Sequence, residues 1–273
     1  MTGPQRTGPT GPAADPHASS LGDIAATLAG HDPITAAPDY DLIAAALTWL
    51  RGGTGDPEER LLWGRWAYRS AETLTGRLHP LWRTVATVYR RVLAEQGLST
   101  DVVRVCEQRV DVARELGDPA DLLIHQCSLA AALHTDGSCD LADQQSRNIF
   151  AAWAAESRAS TIRADQIVVL TSAVIAAGCG QTSRAVRLLC TYPDVLAGLD
   201  DDARRTAARW LALTETTHPA RCLHQPPPPL ADQANREQVW AGLLDPAGSA
   251  PARSSRDRPE HGSAGSATTE DRR

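Results

Sequence analysis

Four glycines set the frame of this chain. Gly53, Gly97, Gly137 and Gly180 follow one another at intervals of 44, 40 and 43 residues. Each closes one apolar helical stretch and precedes another. Leu42 to Gly53 is followed by Leu61 to Leu74, and Val85 to Leu93 leads past Gly97 to Val102–Leu116. Leu129, Ala130 and Leu133 lead past Gly137 to Ala142–Trp153, and Leu170 to Ala177 leads past Gly180 to Ala185–Cys190. In the last three units a small or branched apolar residue stands five positions after the glycine: Val102, Ala142 and Ala185. A recurrence of this length marks one supersecondary unit per repeat. Such a unit is too small to bury its own apolar stripe, so neighbours must stack. The sequence therefore predicts an all-α solenoid of about four helical hairpins.

Local signals agree with helices throughout this region. Ala, Leu, Arg and Glu dominate it, and these residues have the strongest helix propensity. Sustained period-2 alternation, the mark of a half-buried strand, is missing. Asp56 followed by Pro57, Glu58 and Glu59 predicts a helix start with a capping carboxylate and proline in the first turn. Ser99 or Asp101 opens the next, Gly117-Asp118-Pro119 ends one helix and starts another, and Asp200-Asp201-Asp202 opens a helix through Trp210 and Leu213. The expected organisation is a disordered arm over 1–19, a capping helix and linker over 20–37, and the repeat domain over 38–215. A proline-rich linker over 216–233, built on Pro226 to Pro229, a short helix over 234–244 and a disordered tail over 245–273 follow. Both ends are rich in small and polar residues with little apolar surface to bury.

Three pieces carry a family resemblance: SLAAALHTDGSCDLA (128–142), RVDVARELGDP (109–119) and AAGCGQTSRAVRLL (176–189). Their pattern of L-A-x-x-L, a glycine turn and a small residue five positions later resembles tetratricopeptide repeats, most closely the longer-helix subtype of kinesin light chains and many actinobacterial proteins. The resemblance spans roughly residues 38–190 and implies a right-handed solenoid. The same spacing also suits HEAT or armadillo repeats, but the glycine turn followed by a small residue favours the plain helix–turn–helix unit.

Charge and composition exclude other classes. The chain carries 27 basic and 33 acidic residues for a net charge of −6, and every basic residue is arginine. The acidic balance opposes direct nucleic-acid binding, which needs a basic footprint. Without lysine there is no Schiff-base chemistry and no phosphate-loop lysine, so Gly178 to Arg184 reads as a turn. The most apolar stretch, Ile167 to Gly178, falls short of the roughly 20 residues a membrane span needs. Met1 to Pro16 lacks the apolar region of a secretory signal. None of the six cysteines forms a C-x-x-C pair, which points to thiols in a cytoplasmic protein. His125, Cys127, His134 and Cys139 lie close in sequence. Cys127 and His134 would share a helical face about 10 Å apart, so no metal ligand set is expected, and no cofactor. Asp200 to Asp202 read as helix-start acids complementing the helix dipole. Trp63, Trp66, Tyr68, Trp82 and Tyr89 gather in the first two units, as core or as an anchor for a partner.

What the resemblance implies is a non-catalytic adaptor or scaffold. In that family, first-helix residues of each hairpin line a concave groove that holds a peptide. In this register they are Thr84, Thr87, Arg91 and Glu95, then Ile124, Cys127, Ala131 and His134, then Ile167, Leu170 and Val174. The last three form either an apolar floor or buried core. Arg91 is suited to an acidic ligand, or to a solvated pair with Glu95 four residues on. The expected partner is a protein or peptide, with self-association left open. The alternative is a regulatory or sensor subunit acting in trans with a separately encoded NTPase or DNA-binding protein, since similar arrays often sit behind such domains.

Overall fold

The glycine turns form where the spacing places them. Gly53, Gly97, Gly117, Gly137 and Gly180 all take positive φ between 69° and 89°. At Gly117 the left-handed residue ends one helix, its N–H bonded to the Ala113 carbonyl, and Asp118 caps the next by accepting from the N–H groups of Ala120 and Asp121. Asp56 accepts from Glu58 and Glu59 with Pro57 in the first turn, and the Asp200 carboxylate accepts from Ala203 N–H. The helix that follows Gly97 begins at Ser99, but the preceding residue, Leu98, makes no side-chain cap.

A computed structural model describes residues 21–155, 161–216 and 233–244. Among them run the helices α1 (Leu21–Ala29), α2 (Tyr40–Gly52), α3 (Pro57–Thr75), α4 (Pro80–Glu95), α5 (Ser99–Leu116) and α6 (Pro119–Thr135). They continue with α7 (Cys139–Ala155), α8 (Ile162–Gly178), α9 (Thr182–Thr191), α10 (Pro193–Ala197), α11 (Asp201–Thr216) and α12 (Gln233–Leu244). No strand occurs among the described residues. The expected arm over 1–19, most of the linker over 216–233 and the tail over 245–273 lie outside the described residues.

The four predicted hairpins are α2/α3, α4/α5, α6/α7 and α8/α9, and α11 packs with α12 beyond them. Each second helix also packs on the next unit: α3 on α4, α5 on α6 and α7 on α8. First helices meet directly as well, α2 with α4, α6 with α8 and α8 with α11. That contact is not repeated between α4 and α6, where long charged side chains fill the interval. The all-α reading with stacked hairpins is borne out.

One continuous apolar core runs through the stack. Its early part is aromatic. Trp63 and Trp82 are fully enclosed, and Trp66, Tyr68 and Tyr89 are buried beside them. Trp63 meets Trp66 edge-on at 5.3 Å, and Tyr68 packs on Trp82 at 5.4 Å and on Tyr89 at 5.0 Å, distances at which aromatic pairs attract beyond simple burial. These aromatics are core. The later part uses small residues: Ala130, Ala142, Ala173, Ala176 and Ala185 are fully buried, and their short side chains let helix backbones approach.

Candidate functional site

The face of α4 that turns away from α3 and α5 borders a cavity of about 600 Å³, closed on one side by the last turn of α2. Its lining is Arg51, Thr84, Thr87, Val88, Arg90, Arg91 and Ala94. The structure thus gathers three expected groove residues, Thr84, Thr87 and Arg91, and adds Arg51 and Arg90. The two threonine hydroxyls bond to their own helix, at the Pro80 and Arg83 carbonyls. Arg91 donates to the Leu50 carbonyl at 2.9 Å, tying the end of α2 to α4, and lies 3.5 Å from Glu95. Glu95 is held chiefly by the buried Arg60 at 2.8 Å. Arg91 and Glu95 therefore belong partly to a clamp between repeats. Arg51, exposed at the C-terminal end of α2, sits where the helix dipole favours a cation. No carboxylate is among the residues that line this cavity.

A cationic cluster lies behind it, in the interval between α4 and α6. Arg83 and Arg90 come from α4, Arg109 from α5, and His125 and Asp121 from α6. Burial and the adjacent Arg90 hold the Arg109 guanidinium below its ordinary pKa. His125 is buried, and desolvation with Arg109, Arg90 and Arg83 nearby lowers its pKa to about 4, against the opposing pull of Asp121. Asp121 lies 3.5 Å from His125 Nε2 and 4.0 Å from Arg83. Buried Nε atoms of Arg83 and Arg90 and Nδ1 of His125 have no hydrogen-bond partner. Positive charge is in excess here, and an anion entering from the α4 face would offset it.

The other expected residues are placed differently. Ile124 and Ala131 on α6 and Ile167 and Leu170 on α8 are half-buried, while Cys127, His134 and Val174 are buried in the packing between helices. Burial pushes the Cys127 thiol up to about 12, outweighing the opposite effect of a Thr171 hydrogen bond, so it stays protonated. α6 and α8 are covered on several sides, which takes much of the predicted strip out of reach of a ligand.

These glycine-turned hairpins stack in chain order into an array of helix–turn–helix units. No protein-family model matches the chain, and no curated protein does. Among solved structures, a candidate kinesin light chain from Podosopora anserina with nearly identical tetratricopeptide-like repeats is similar at 17% identity and a TM-score of 0.45, over 74% of this chain and 90% of that one.

A second cavity, of about 390 Å³, opens between α3, α4 and α5. It also has three arginines, Arg65, Arg69 and Arg104, but Glu72 and Asp101 line it with them, so its charge is largely balanced. Tyr68 donates to Gln108 at its floor, and burial followed by Glu72 raises the phenol pKa. Arg90, Arg109 and His125 escape a reading of sequence because they come from three helices of two repeats. No described helix is long and apolar enough to cross a membrane.

Proposed function

We propose that the chain is a non-catalytic interaction module that binds an acidic peptide or protein segment along the α2–α4 face. One observation carries this reading: a cavity lined by Arg51, Arg90 and Arg91 and by no carboxylate, on a chain whose net charge is −6. Guanidinium groups grip carboxylates in paired hydrogen bonds. Arg83, Arg90 and Arg109, half-buried around a neutral His125, extend the positive potential behind them. Because stacked helices already fix the arginines, binding requires ordering chiefly of the ligand. The resemblance to tetratricopeptide repeats points the same way, and the buried thiols fit a cytoplasmic setting.

The test is selection from a peptide library presented to the full chain. Acidic sequences should be enriched, and their affinity should fall with added salt. Arg51→Glu and Arg90→Gln should each weaken the selected peptide by roughly tenfold, the scale of one lost charge-assisted contact. Enrichment of apolar or basic sequences, or undiminished affinity in both variants, would refute the acidic-ligand reading.

A further inference from the structure

Away from the α4 face, the turn of the third hairpin meets the turn of the fourth. The ring nitrogens of His134, in the last turn of α6, approach the Sγ atoms of Cys139, the first residue of α7, and Cys179, just beyond α8. One donor atom from each lies within 4.8 Å of the other two, and all three residues are buried. Both cysteines carry thiols. We propose that His134, Cys139 and Cys179 form a Zn²⁺ site that staples these two repeats together.

The chemistry of the donors selects the metal. Two thiolates and an imidazole suit zinc or copper(I), whereas calcium and magnesium require oxygen ligands. Zn²⁺ with two thiolates and a neutral imidazole has no net charge, which suits a buried position. Copper(I) with the same set would leave one uncompensated negative charge. Zinc–sulfur bonds of about 2.3 Å and zinc–nitrogen bonds of about 2.0 Å place tetrahedral donors roughly 3.5–3.8 Å apart, so the cluster needs only a small contraction. On binding, each cysteine loses its proton to solvent and two protons are released per metal. Cys139 stands at the N-terminus of α7, where the helix dipole favours a thiolate. Gly180 is exposed and Gly137 half-buried, so a solvent molecule can take the fourth position.

The surrounding backbone is already fixed. Gly137 N–H and Ser138 N–H bond back to the His134 and Leu133 carbonyls, and Cys179 N–H and Gln181 N–H bond to those of Ile175 and Ala176. Asp143, on α7, accepts from Arg147 at 3.0 Å and from Arg184 of α9. Burial pushes its carboxyl up, but the hydrogen bonds from those two arginines outweigh this and hold it below the usual range. This ion pair already clamps the two turns together, so little ordering remains for the metal to impose.

The test uses the full chain, reduced and stripped of metal. Titration with zinc against a chromophoric chelator should give one ion per chain. Cobalt(II) should give the intense visible bands of a tetrahedral site together with thiolate-to-metal charge transfer. The double variant Cys139→Ser/Cys179→Ser should lose this stoichiometric binding, and Cys190→Ser should retain it. Should the double variant fail to fold, alkylation of the unmutated chain gives a second readout: zinc should slow modification of Cys139 and Cys179 at least tenfold. Absence of uptake, equal alkylation with and without zinc, or full binding by a folded double variant would overturn the proposal. That last result would place the metal elsewhere, His218, Cys222 and His224 being the next such group in the sequence.

Discussion

Trp66 and Trp82 offer a controlled comparison, because the same substitution should have different effects at the two sites. Both indoles are almost wholly buried, so exchange for phenylalanine removes a similar volume from each. The polar atom differs. Trp66 Nε1 donates to the Ala36 carbonyl at 2.9 Å, while Trp82 Nε1 is buried without an acceptor. Trp66→Phe loses a hydrogen bond worth about 1 kcal/mol in addition to packing. Trp82→Phe removes a stranded donor whose desolvation costs about 1–3 kcal/mol, which offsets much of its packing loss. Since Ala36 is half-buried, water recovers part of what its carbonyl loses. The net expectation is that Trp66→Phe destabilises the protein by about 2 kcal/mol more than Trp82→Phe. Urea unfolding followed by far-ultraviolet circular dichroism measures the difference. Equal destabilisation, or a larger effect at Trp82, would refute the reasoning.

Two further predictions concern charge and capping. His125 titrates at about 4 in the folded protein against about 6.5 when unfolded. The unfolded chain therefore binds more protons between these values, and stability is lost as pH falls through this window. His125→Gln should flatten urea midpoints across that window, and an unchanged slope would contradict the account of Arg83, Arg90, Arg109 and Asp121 around it. At the α5–α6 junction, Gly117 has φ 72° with open space around the missing side chain, so Gly117→Ala should cost about 1 kcal/mol through backbone strain alone. Asp118→Ala should cost about as much through loss of the cap, and thermal unfolding of the two variants checks both.

The fold was legible because its signals are local. Asp56-Pro57, Gly117-Asp118-Pro119 and the spaced glycines state their conformations within a few residues, and the repeat interval then dictates stacking. α4 has a clear apolar face, and Thr84, Thr87 and Arg91 were found on the opposite side of it. α6 and α8 are apolar around most of their circumference, so no periodicity marks which side meets solvent, and Cys127, His134 and Val174 lie within the packing. The cationic cluster and the His134–Cys139–Cys179 group were hidden for another reason. Each draws members from two successive repeats, and only stacking brings them together. Cys139 stands two residues after Gly137 and Cys179 one residue before Gly180, so the two meet only when the turns of successive repeats are stacked.

Hydrogen–deuterium exchange with a selected acidic peptide tests the central claim most directly, because it locates the ligand without altering a residue. New protection should concentrate in α4 and the last turn of α2, around Arg51, Thr84, Thr87 and Arg90, and it should vanish at high salt. Protection centred on Arg65, Arg69 and Arg104 between α3 and α5 would contradict the account, as would no protection on the α2–α4 face at saturating peptide.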